Sequence, residues 1–202
     1  MSNYQNKVRE FQIASGQPVS DTPRQLTKEE ADFRDNLLRE EIRELQYAIV
    51  DDNRVEILDA LCDIKYVNDG TANQMGEETE CVDDRWFYDE RVFKYSKGLI
   101  DGLQNMSTDD VCAINCQTIL IAQSFGFTLE NFKTALDRVH ESNMSKFCYD
   151  IKTAERTQEF YSKQGIDTYI EPVNKMTVVY RKEDGKVLKS IEYHPVYLED
   201  LI

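Results

Sequence analysis

Two short runs of carboxylates lie close together near the middle of a 202-residue chain: Glu40, Glu41 and Glu44, then Glu56, Asp59 and Asp63. Written on helices at about 100° per residue, Glu41 and Glu44 are separated by roughly 60° and Glu40 and Glu44 by roughly 40°. Glu56, Asp59 and Asp63 fall within a sector of roughly 60° by the same arithmetic. Like charges at helical spacing repel by a few tenths of a kcal/mol per pair, and burying them without a partner costs far more. A hard divalent cation is the natural partner, because carboxylate oxygens suit Mg²⁺ or Mn²⁺. The alternative is a solvated acidic face, the usual state of a charge run.

Two helices must hold these groups. Leu38, Ile42, Leu45 and Ile49 recur at helical spacing and make an apolar stripe beside the first run. Ile57, Leu61 and Ile64 cover a different face from the second. The Thr27-Lys-Glu-Glu30 stretch is a capping-box signature, so the first helix is expected from there to about Val50. Asp51-Asp52-Asn53 breaks the pattern, and Asp52 or Asn53 caps the next helix, which runs through Asp69 or a little beyond. So short a break favours an antiparallel pair, which brings the six carboxylates towards one place.

Elsewhere the patterns are mostly helical. Tyr4, Val8 and Phe11 share one side of a segment over residues 3–14, stopped at Gly16. Gly76 is an expected break, and residues 85–105 read as an aromatic-rich helix containing Trp86, Phe87 and Tyr88. Ser107 or Thr108 caps an apolar helix ending near Gly126. Thr128 caps another, to about Glu141, which Ser142-Asn143-Met144-Ser145 interrupts; a mostly polar helix is expected over residues 146–163. The character then changes. Met176–Arg181 alternates and is β-branched, Asp184-Gly185 is a hairpin turn, and Lys186–Tyr193 is the expected return strand. The fold class is mainly α, an antiparallel helical bundle with a small C-terminal β-hairpin. The expected division is a helical catalytic domain over residues 1–165 and a hairpin appendage over 166–202.

Composition narrows the function. A hydrophobic content of 41% with 10% aromatic residues supports a packed core, and the net charge is −14. That charge argues against a nucleic-acid polymer or an anionic membrane as partner, since no basic surplus is available. An anionic substrate needs a cation to supply part of the attraction. No apolar run suggests a signal peptide or a membrane span, so a cytoplasmic location is expected. The five cysteines are scattered and read as free thiols. Cys112 and Cys116, four apart, lack the further soft ligands that zinc requires and read as small buried hydrophobes.

Glu40-Glu41-Ile-Arg-Glu44 followed by Glu56-Ile-Leu-Asp59 resembles the EExxE…ExxD pattern of the all-α nucleoside triphosphate pyrophosphohydrolases, the MazG-like and phosphoribosyl-ATP pyrophosphohydrolase-like proteins. The surroundings from Asp59 to Ala72 look like that family's second metal helix. Val139-His-Glu-Ser-Asn143-Met-Ser-Lys146 resembles the VHxSNxSK segment of one branch, and Asp184-Gly-Lys-Val-Leu-Lys189 with Tyr193-His-Pro is similar to the tail of many small, including virus-encoded, members. The resemblance spans roughly residues 25–200, with nothing diagnostic over 71–105.

The resemblance implies cleavage of a nucleoside triphosphate between its α and β phosphates, with Mg²⁺, or Mn²⁺ as a substitute. It implies Glu41, Glu44, Glu56 and Asp59 as metal ligands. Glu40 is then a further ligand or, with Glu41, a candidate base for the attacking water. Asp63 is an outer-shell group or is solvated. Lys146 is placed to reach a phosphate, Asn143 to read a base edge or sugar hydroxyl, and Tyr66 to line the substrate site or to fill the core. His140 reads as structural. A homodimer or dimer of dimers is implied, in the host cytoplasm if the source is viral. A phosphoribosyl-ATP-type hydrolase and a non-catalytic acidic interaction module are the alternatives.

Overall fold

The structure is a computed structural model that describes residues 3–79, 102–103 and 110–202. The expected helix over 85–105, its aromatic group at 86–88, Cys81 and the caps at 107 and 108 lie outside the described residues. The described elements are α1 (Asn3–Ala14), α2 (Lys28–Val50), α3 (Arg54–Met75), α4 (Val111–Ser124), α5 (Leu129–Met144) and α6 (Ile151–Ser162). Then come β1 (Thr168–Val173), β2 (Met176–Arg181) and a 3₁₀ turn at Glu199–Leu201. The molecule is mainly α with a small antiparallel hairpin near its C-terminus.

The α2–α3 pair forms for local reasons. The Thr27 side chain accepts from the Glu30 backbone N–H while Glu30 bonds back to Thr27, closing the capping box. Arg24 grips the same Glu30 carboxylate through both terminal nitrogens, at 2.9 and 2.7 Å. Asn53 caps α3 by accepting from the Glu56 N–H, and Asp52 takes φ 52 in the tight connection. α3 ends at Gly76 with φ 69, where an added Cβ would run into the Thr22 carbonyl.

α3 is the central element and touches α1, α2, α4 and α5. Leu38, Ile42 and Leu45 of α2 meet Ile57, Leu58, Leu61 and Ile64 of α3, all buried, with Ile114, Ile121, Phe132 and Leu136 closing the core. The second half of α3 is buried on every side although it carries Lys65, Asn68, Asp69, Thr71 and Asn73. These polar groups are answered from neighbouring elements, as buried polar groups must be. Asp69 accepts from Lys65 Nζ at 2.8 Å, Asn115 Nδ2 at 2.7 Å and Thr79 Oγ1 at 2.9 Å. Gln5 and Gln12 of α1 bond the chain at Glu77 and Gly70.

Three local expectations are corrected. α5 runs on through Ser142 and Asn143 to Met144 rather than stopping near Glu141. The next helix starts at Ile151, capped by Asp150, not at Lys146; the intervening residues turn and bend around Cys148, which pairs with Thr177 of β2. The hairpin partner of β2 is β1, across Asn174-Lys175, with Asn174 at φ 54. The chain does turn at Asp184-Gly185, but the returning segment makes a single bridge, Val187 opposite Tyr180, in which the Lys186 carbonyl accepts from the Arg181 N–H and the Leu188 N–H donates to the Val179 carbonyl. It then leaves the sheet, because the Ser190 N–H is taken by the Lys146 carbonyl at 3.0 Å.

Candidate active site

The antiparallel crossing brings the two carboxylate runs face to face. Ile42 and Leu45 point α2 into the core, which leaves Glu41 partly buried at the α2–α3 seam and Glu40 and Glu44 exposed beside it. On α3, Asp59 and Asp63 are partly buried and Glu56 is exposed at the first turn. Burial first, then the charges of Glu44, Glu40 and Asp59, push the Glu41 carboxyl up to about 7. Burial, Glu56 and Glu44 raise Asp59 to about 6. Asp63 is also raised, chiefly by burial, and feels Asp59, Glu41 and Glu44. Each of these carboxyls also feels the positive charge of Lys146, which opposes the rise.

Lys146 follows the end of α5 and is partly buried; desolvation lowers its pKa. Its Nζ donates to Asn143 Oδ1 one turn back. Asn143 in turn hydrogen-bonds Tyr66, whose hydroxyl also lies 3.2 Å from His140 Nδ1. The Tyr66 ring is 7% exposed. Tyr4 and Phe11 meet it edge-on and His140 stacks on it. It fills the core and reaches the site through Asn143. Burial lowers the His140 pKa, which favours the neutral ring that this contact needs.

Among the described residues no three His, Cys, Asp or Glu side chains converge tightly enough to form a ready-made metal cage. The donor set nevertheless fits Mg²⁺. That ion keeps several waters and takes one or two carboxylates plus substrate phosphates, rather than an all-protein cage. A cluster whose members hold one another protonated near neutrality is the electrostatic signature of a site short of positive charge. Cys62 and Cys148 are buried and free; Cys112, expected to be buried, is exposed, because α4 turns Val111, Ile114 and Ile121 inward instead.

Sequence reasoning missed two features, one against the enclosed half of α3 and one near Lys146. Arg34, two turns before Glu41, is a buried guanidinium with no carboxylate partner among the described residues. Its pKa falls to about 10. It donates to Thr71 Oγ1 and the Val67 carbonyl and lies against Gly70. The second is the C-terminal tail at Lys189–His194, docked on the end of α5. An arginine inside an apolar-stripe helix carries no local signal of its role, and the tail, although its motif resembles that of family members, carries none of where it docks.

A helical carboxylate site of this kind agrees with the comparison to known families. Residues 8–82 match the family model described as phosphoribosyl-ATP pyrophosphohydrolase, of the MazG-like all-α nucleoside triphosphate pyrophosphohydrolase superfamily. That match covers both acidic motifs of α2 and α3; it begins upstream of the first motif and ends before the Val139–Lys146 segment. The whole chain is also similar to the "Uncharacterized protein L479" of Acanthamoeba polyphaga mimivirus, 29% identical over 245 aligned positions that cover 100% of this chain and 96% of that one. No solved structure matches the chain.

Proposed function

We propose that the protein is a Mg²⁺-dependent nucleoside triphosphate pyrophosphohydrolase, releasing a nucleoside monophosphate and pyrophosphate in nucleotide-pool control. The observation that carries this reading is the facing of Glu41 and Glu44 by Asp59, in a stretch that matches a pyrophosphohydrolase family, with Lys146 brought beside them from outside that stretch. Phosphoryl chemistry needs charge neutralisation and an aligned water more than a covalent nucleophile. Glu41, Glu44, Glu56 and Asp59 would hold the metal, which when bound screens the triphosphate and acidifies a water. Glu40 or Glu41 orients that water and takes its proton. Lys146 meets a phosphate, and Asn143, held by Lys146 and Tyr66, presents its amide to the nucleoside.

A homodimer fits this reading, since the outward side of α2 exposes Phe33, Tyr47 and Val50 beside Glu40 and Glu44.

The test is a panel of the common ribo- and deoxyribonucleoside triphosphates, with Mg²⁺ and with EDTA, products resolved by chromatography. Monophosphate plus pyrophosphate, abolished by EDTA, supports the assignment. Diphosphate plus phosphate rejects the cleavage position. The description of the matched family favours one second reading, a phosphoribosyl-ATP substrate, which joins the same panel. Turnover of none of these, with no Mn²⁺ binding by calorimetry, leaves a non-catalytic helical module.

A further inference from the structure

The C-terminal tail brings a second cation near Lys146, the lysine whose charge acts on the carboxylates. Lys189 is fixed through its backbone, whose carbonyl accepts from Tyr161 of α6 at 3.0 Å. The next residue, Ser190, donates its N–H to the Lys146 carbonyl at 3.0 Å. His194 donates its N–H to Ser145 Oγ at 3.0 Å and accepts from Ser142 Oγ at 2.9 Å. Between these ties the tail places Tyr193 against Ser142, hydroxyl to hydroxyl at 3.3 Å. The Lys189 ammonium sits over the Tyr193 ring, 4.2 Å from its centroid.

The charge of Lys189 reaches Lys146, which it disfavours as like charges do, and it contributes to the lowered pKa of Lys146. Placing two ammonium groups together costs free energy in the free protein. Acidic residues outnumber basic ones, 38 to 24, yet the tail is stapled where the charge of Lys189 acts on another lysine. A multiply charged anion would reverse the sign of that contact. A cation–π seat holds the flexible ammonium in one place without neutralising it.

We propose that Lys189 binds the β and γ phosphates of the substrate, the pair that leaves as pyrophosphate, alongside Lys146. Lys189 is thus a substrate-binding residue outside the matched family region. The inference rests on the triphosphate reading above, but its test does not need turnover. The probe is inorganic pyrophosphate with Mg²⁺, titrated calorimetrically into the full-length protein and into Lys189→Gln and Lys189→Arg.

One charge-assisted contact predicts a loss of about tenfold or more in pyrophosphate affinity for Lys189→Gln. Most of it should return in Lys189→Arg, and the melting temperature should not change. Where a triphosphate is turned over, Lys189→Gln should raise KM more than it lowers kcat, and should leave inhibition by the monophosphate product unaltered. Equal pyrophosphate affinity in Lys189→Gln and the unsubstituted protein overturns the assignment, as does the absence of pyrophosphate binding by the unsubstituted protein. Pyrophosphate binding that depends on Lys189, without hydrolysis of any triphosphate, keeps the anion site and rejects the enzymatic reading alone.

Discussion

Glu41 on α2 faces Asp59 on α3, and the charge of Asp59 helps keep Glu41 protonated up to about pH 7. The folded-state value lies above the ordinary 4.5 of the unfolded chain. Its contribution to stability is therefore fully present below about pH 4.5 and is lost as the pH rises through about 7. Asp59, raised from 3.8 to about 6, acts in the same direction over a lower window. Metal-free protein should lose on the order of 1–3 kcal/mol between about pH 5 and pH 8, shared among the coupled carboxyls. Thermal melts in EDTA at both pH values check this. Glu41→Gln should raise the melting temperature at the higher pH only, and Mg²⁺ should restore stability there. A melting temperature that does not fall with pH would remove the electrostatic basis for the site.

Neutralising the ligands should separate activity from folding. Glu44→Gln and Asp59→Asn are each expected to lower turnover of the preferred triphosphate by about two orders of magnitude or more. Circular dichroism and melting should show both variants folded. Near-normal hydrolysis in both would mean that the metal is held elsewhere.

The Lys65–Asp69 pair carries the opposite prediction. Asp69 has three donors and no exposure. Truncating it strands a buried ammonium, so Asp69→Ala should cost about 3–5 kcal/mol in chemical denaturation. Asn115→Ala should cost about 1–3 kcal/mol, since it removes one of the three donors. A double variant whose cost falls well below the sum would show that the network acts as one unit.

Gly70 is the remaining case. Alanine in a helix normally gains about 1 kcal/mol over glycine. At this position an added Cβ would stand 2.7 Å from Arg34 Nη2, and Arg34 is tied to Thr71 and Val67. Gly70→Ala should therefore destabilise, by about 1–3 kcal/mol as in other overpacked sites. Combining it with Arg34→Met, which frees the space, should recover part of the loss; urea denaturation reads both.

What was legible in the sequence was local. The capping box at Thr27–Glu30, the cap at Asn53 and the stripe of Leu38, Ile42 and Leu45 each follow from neighbours within two turns. The facing of the two carboxylate runs follows from the short break between their helices. What was illegible depends on distant partners. β1 carries a proline, and its pairing with β2 wins because Ser190 is bound to Lys146 and draws the rival strand away. The pairing of Cys148 depends on Thr177, twenty-nine residues on, so the helix expected from Lys146 starts only at Ile151. Asp69 and Asn68 resemble any polar residues on a helix until α1 and α4 close over them.

The uneven burial of α3 divides it by what substitution can do. Its first two turns expose Glu56 and leave Asp59 half-covered, while its last three are enclosed. A library covering residues 54–75 should accordingly split in two. Neutral replacements of Glu56 and Asp59 should leave abundance intact and abolish selection for activity. Replacements beyond Ile64 should deplete the protein itself, so that loss of function there reports loss of the molecule. The same helix is thus read as chemistry at one end and as scaffold at the other, and the changeover falls near Asp63, the acidic residue next to the scaffold half.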